Sequence, residues 1–108
     1  MGIPTSFEAA AKFLGKKLAK NIPGKRSTRV ERIDSEKIAL YYHTTPVVTW
    51  FSDGRSVIRA NGFRTATTKN RINDAVPGCY VWQRHFEWWV TLRGNGPVEP
   101  FQDGFTVA

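Results

Sequence analysis

Apolar residues in the first twenty positions recur at helical spacing. Phe7, Ala11, Leu14 and Leu18 fall on one stripe, with Ala10 beside them, and Lys12, Lys16 and Lys20 fall on the opposite side. Thr5 and Glu8 have the T-x-x-E spacing of a capping box, which predicts a helix over Thr5–Ala19. Pro23-Gly24 is its expected stop. The stripe predicts docking of Phe7, Leu14 and Leu18 on a sheet. A membrane-surface helix fits less well, because the stripe is alanine-rich and has no Trp. The stretch from 24 to 37 is polar, with Val30 and Ile33 as its only large apolar residues, and reads as a loop with a short edge strand near Thr28–Ile33.

From Ile38 the pattern changes to that of strands. IALYYHTT and VVTWFS are rich in aromatic and branched residues, and Pro46 between them predicts a bulge or bend. Asp53-Gly54 predicts a hairpin turn, with RSVIRA as the returning strand, and Asn61-Gly62 predicts a second turn. TKNRINDAV reads as a short helix capped by Thr67 or Thr68, with Ile72 and Val76 inward and Pro77-Gly78 at its end. The run YVWQRHFEWWV divides best into two strands, Cys79–Gln83 and Glu87–Leu92, joined by a tight turn. Tyr80, Trp82 and Trp88 are expected inward, and Trp89, with Trp50 or Phe51, outward. GNGP (94–97) reads as an open turn, and FQDGFTV as a last strand. The expected fold is one α+β domain over 1–108. It has a mostly antiparallel sheet of about five or six strands, an N-terminal amphipathic helix and a short second helix.

Composition narrows the partners. Sixteen Lys and Arg face nine Asp and Glu, a net charge of +7, and residues 1–37 carry nine basic against four acidic side chains. Lys12, Lys16, Lys17, Lys20, Lys25 and Arg26 lie in a stretch without acid, which suits a polyanion such as nucleic acid or a merely solubilising surface. A single cysteine precludes an internal disulfide and fits a reducing cytoplasm. No stretch has signal-peptide or membrane-span character. Gly2 and Ser6 have myristoylation spacing, but Pro4 interrupts that motif.

Catalysis finds little support in the residue pattern. Cys79 could pair only with His43 or His85, and no spacing of His and Cys matches a metal site. Glu87 and Asp74 have no partner in sequence, and no phosphate-binding glycine loop is present. We therefore expect neither an enzyme nor a cofactor. The densest cue is RTATTKNRIN. Arg64, Thr67, Thr68, Lys69 and Arg71 place hydroxyls and cations at a helix start, where free amides attract anions. An ordinary capped surface helix would read the same way. Lys69 and Arg71 are two apart, so a regular helix cannot aim both one way. Arg64, Lys69 and Arg71 are nevertheless expected to converge near the start of this helix, through an irregular first turn or a second subunit, hence an expected homo-oligomer. Trp50 and Trp89 are the candidate stacking residues for a base.

HTTPVVTWFSDGRSVI, GFRTATTKNRIN, YVWQRHFEWWV and PFQDGFTV together resemble a group of small uncharacterised bacteriophage proteins over about residues 38–108. The shared pattern is a His-x-Thr-x-Val-Val-Thr strand, a Thr-Thr-Lys-x-Arg-Ile-Asn segment and a terminal Phe-x-Asp-Gly. Phe63 stands where that group usually has Trp, and Pro46 replaces a polar residue. The resemblance implies a phage origin, the host cytoplasm and a small accessory protein, and it carries over no site. The reading that follows is a binding protein for a phosphate-bearing ligand that antagonises host defence by sequestering a nucleotide signal. Its alternatives are a single-stranded DNA or RNA binder and an inhibitor of a host defence protein.

Overall fold

A computed structural model describes residues 2–92 and 96–108. Helix α1 (Phe7–Leu14) is shorter than predicted at both ends. Its cap is Ser6, whose Oγ accepts from the Ala9 amide at 3.1 Å, one residue later than the expected Thr5. Gly15 ends it with a φ of 59°, a left-handed turn that glycine adopts without strain. The chain then enters strand β1 (Ala19–Asn21), so Leu18 never joins the helical stripe and is 74% exposed. Pro23-Gly24 falls between strands rather than at a helix end. Lys16, Lys17 and Lys20 therefore lie beyond the helix. Lys20 Nζ and Arg32 Nη2 still reach carbonyls near its C-terminus, those of Phe13 at 3.4 Å and Gly15 at 3.1 Å.

Strands β2 (Thr28–Asp34), β3 (Lys37–Tyr42), β4 (Thr45–Phe51) and β5 (Ser56–Ile58) form an antiparallel meander. Strand β9 (Phe105–Val107) closes a six-stranded sheet of order β1-β2-β3-β4-β5-β9. β2 is an interior strand, because the short β1 pairs along the edge it was expected to leave open. The bulge anticipated near Pro46 appears as a register shift in the β3–β4 pair between Leu40 and Tyr41. His43, expected on a strand, sits in the β3–β4 turn with a φ of 55°.

Helix α2 (Ala66–Ala75) begins at a Thr65 cap rather than Thr67 or Thr68, and Ile72 and Val76 are buried as expected. A second sheet, of order β6-β7-β8, holds Cys79–Arg84, Glu87–Leu92 and Val98–Pro100. Half of the open turn expected at GNGP, residues 94 and 95, falls outside the described residues. The core joins Leu14, Val30, Leu40, Trp50, Ile58, Ile72, Val81, Val90 and Phe101. α2 is bound to both sheets. Trp50 Nε1 donates to the Ala75 carbonyl at 3.2 Å, while Asn73 accepts from the Val81 amide at 2.7 Å and donates to its carbonyl at 2.9 Å. The terminal Asp-Gly also has a structural task. The Asp103 carboxylate accepts from the Ala60 and Asn61 amides at 2.8 and 3.0 Å and holds the Asn61-Gly62 turn.

Inward and outward faces of the aromatic hairpin differ from expectation. Tyr80 and Trp82 point outward, and Cys79 and Val81 are buried instead. The cause is the two-residue turn at His85-Phe86, which pairs Arg84 with Glu87 and Trp82 with Trp89. Even-numbered positions of β6 thus share a face with odd-numbered positions of β7. The even-numbered aromatic run across the whole segment spans two opposite faces.

Candidate functional site

Thr65 and Thr68 open α2 in a way that explains their spacing. Thr65 Oγ1 accepts from the Thr68 amide at 3.2 Å, and the two hydroxyls are 3.0 Å apart. Thr68 is thereby satisfied while fully buried. Thr67 is half-buried beside it. The amides of Ala66 and Thr67, at the free end of the helix, make no hydrogen bond among the described residues.

The five residues singled out in RTATTKNRIN divide between two sides of α2. Arg64 and Lys69 meet over one ring. Their cationic groups each lie 5.7 Å from the Trp88 ring centroid, Arg64 is also 5.4 Å from that of Phe101, and Lys69 Nζ donates to Gln83 Oε1 at 3.3 Å. Arg71 goes the other way. Its Nε donates to Thr28 Oγ1 at 2.9 Å and its guanidinium lies 5.9 Å from the Tyr42 ring centroid. Lys69 lies within the regular helix, so the two-residue separation from Arg71 sends the cations to different sides.

On the Arg71 side is a cavity of about 290 Å³ between the β3–β4 turn and the start of α2. Tyr42, His43 and Phe63 supply aromatic walls, Val47 and Ala60 an apolar floor, and Thr44, Thr45, Thr65 and Thr68 hydroxyls. Thr45 is only 6% exposed, and its hydroxyl makes no hydrogen bond among the described residues. No buried side-chain polar atom is orphaned among the described residues, so this oxygen keeps solvent access, and Thr45 is one of the residues that line the cavity. Phe63 is 64% exposed and stands at the rim. This arrangement suits a small planar group inside; Arg71 is not among the lining residues and meets the cavity only through its Tyr42 wall. Tyr42, His43, Thr45 and Phe63 come from segments that read as strand or turn. No local pattern in the sequence points to them.

Of the stacking candidates, Trp50 is 1% exposed and unavailable, contrary to its expected outward placement. It faces inward because β4 turns its even-numbered side to α2. Trp89 lies on the outer face of its sheet, 6.3 Å centroid to centroid from Trp82. Lys12, Lys16, Lys17, Lys20 and Arg26 are exposed and Lys25 half-exposed around the α1–β1 end. Cys79 is buried at the start of β6, and burial pushes its thiol up to about 11, away from the reactive range. His85 is in the turn beyond the far end of the same strand and His43 is in the β3–β4 turn of the other sheet, so no nucleophile–base pair forms among these residues. No group of three His, Cys, Asp or Glu side chains converges among the described residues.

A family model described as Kyanoviridae Gp96 protein matches residues 10–108. The chain belongs to this phage protein family. No curated protein and no solved structure shows significant similarity to it.

Proposed function

We propose that this phage protein is a non-enzymatic binding protein that holds a small phosphate-bearing ligand in the cavity between the β3–β4 turn and α2. The carrying observation is that cavity, with its aromatic walls and the unpartnered Thr45 hydroxyl, and with the Arg71 guanidinium against its Tyr42 wall. A volume of about 290 Å³ is at the lower end of ligand pockets, roughly 300–1,000 Å³. One ring system fits such a space, with its phosphate left at the rim. A nucleotide has this form, and removal of a nucleotide signal of host defence, in the host cytoplasm, is the role we assign. The exposed lysines at the α1–β1 end favour a second reading, a grip on single-stranded DNA or RNA.

Calorimetric titration with nucleoside monophosphates, the parent nucleosides, inorganic phosphate and a single-stranded oligonucleotide tests both readings. Mononucleotides are expected to bind, and Thr45→Val and Phe63→Ala to weaken them without lowering the melting temperature. Arg71→Ala removes a charge-assisted contact of about 1.5–3 kcal/mol, a loss of about ten- to a hundredfold. Its melting curve is needed as well, since the bond to Thr28 is lost too. Lys69→Ala, on the other side of α2, should leave mononucleotide affinity unchanged. Binding of the oligonucleotide alone, with a steep salt dependence removed by charge reversal at Lys16, Lys17 and Lys20, would move the function to the basic end. Absence of binding by every probe refutes the phosphate-ligand reading.

A further inference from the structure

The outer face of the three-stranded sheet is independent of the cavity. Trp82 and Trp89 lie side by side on it, 28° from parallel, and Trp82 Nε1 is fixed by a 2.8 Å bond to Thr91 Oγ1. Tyr80 and Val98 extend the apolar surface, and both are largely exposed. At one end the turn presents Phe86, 94% exposed. His85 and Phe86 both hold left-handed φ values, 54° and 65°, where non-glycine residues are strained. A rigid aromatic surface with a strained, exposed Phe at its tip is unlike ordinary solvent-facing sheet.

Charge identifies the occupant. Although the chain carries +7, this face carries one cation, Arg84, and one anion, Glu87. It offers no net attraction to a polyanion. Arg84 and Glu87 are cross-strand partners, yet no salt bridge joins them among the described residues. Both charges remain free, and the face is self-complementary. We infer that the outer face of β6–β8 is the interface with a second copy of this chain, related by a two-fold axis that sets each Arg84 against Glu87 of the partner subunit. Sheets packed in this way lie about 10 Å apart, with inner side chains interdigitating. A fully covered aromatic residue buries about 150–250 Å². The still-open parts of four such residues, with Val98, approach the roughly 1,000 Å² in total that a specific interface needs.

Sedimentation equilibrium over a dilution series tests this. A reversible dimer is expected, with tryptophan emission shifting to the blue on association. Arg84→Glu puts like charges opposite each other and should weaken association by about tenfold or more. The double variant Arg84→Glu/Glu87→Arg should restore it. Both positions are exposed, so the variants are expected to fold, and their circular dichroism checks this. A monomer at every concentration overturns the inference, as does failure of the swapped pair to rescue. So does tryptophan protection by a single-stranded oligonucleotide in place of a second copy, which would assign the face to nucleic acid.

Discussion

Strand β6 is an edge of its sheet, and Asn73 occupies that edge as a strand would. Replacing Asn73 by Ala removes two hydrogen bonds, of 2.7 and 2.9 Å, to a residue whose side chain is buried. Each contributes about 0.5–1.5 kcal/mol net, and an amide or carbonyl left unsatisfied costs about 1–3 kcal/mol. Alanine returns no more than about 0.7 kcal/mol of helix propensity. The expected loss is therefore about 1–3 kcal/mol. At roughly 4–8 °C per kcal/mol for a domain of this size, the melting temperature should fall by about 5–20 °C. Urea denaturation measures the change, and hydrogen exchange at the Val81 amide localises it. Asn73→Asp sharpens the test, because it keeps the acceptor for the Val81 amide and turns a second oxygen on the Val81 carbonyl. That carbonyl favours the protonated acid, so the folded-state pKa lies above the unfolded value. The folded state then binds more protons, and stability must rise as pH falls through that range. A change under about 0.5 kcal/mol with unaltered Val81 exchange would refute the edge-tether role.

Leu14→Ala should cost about 2–5 kcal/mol by creating a core cavity, whereas Leu18→Ala should change stability by less than about 0.5 kcal/mol. Equal effects in thermal melts would contradict the end of α1 at Gly15. Cys79 should resist a thiol reagent at neutral pH and react only on unfolding. With its folded pKa raised from 9.0 to about 11, the folded state holds the proton longer, so stability should decline between about pH 9 and 11. A Cys79→Ser protein that declines identically over that window would exclude the thiol as the cause.

The elements were legible where local chemistry fixed them. Asp53-Gly54 sets the β4–β5 turn, Ile72 and Val76 set the inner face of α2, and the branched residues from Ile38 set the large sheet. What failed was phase. Gly15 stops the helix although Lys12, Lys16 and Lys20 keep helical spacing past it, and three residues later Leu18 faces solvent. The turn at His85-Phe86 lacks the Asn and Gly that usually mark left-handed positions, so nothing local in the sequence signals the reversal of parity that turns Tyr80 and Trp82 outward. Asp103 bonds to backbone 43 and 42 residues away and Asn73 to the edge of a strand 8 residues on, and nothing local announces either contact.

The cation cluster shows how far sequence spacing can be taken. The expected convergence of Arg64, Lys69 and Arg71 fails at Arg71, because Lys69 lies in regular helix and a two-residue separation there sends the two cations to different sides. Spacing does not say which of them faces a cavity. That depends on neighbours distant in sequence. On one side Gln83 and Trp88 engage the Lys69 ammonium, and Arg64 crowds the same ring. On the other, Thr28 takes only Arg71 Nε, which leaves the two terminal nitrogens of the guanidinium without a partner among the described residues. Tyr42 connects that guanidinium to the cavity wall. A lysine at 71 could not hold Thr28 and still leave a two-nitrogen fork free for an anion. The phosphate reading therefore rests on Arg71 together with Thr45 and Phe63, rather than on the density of basic residues that first drew notice to the segment.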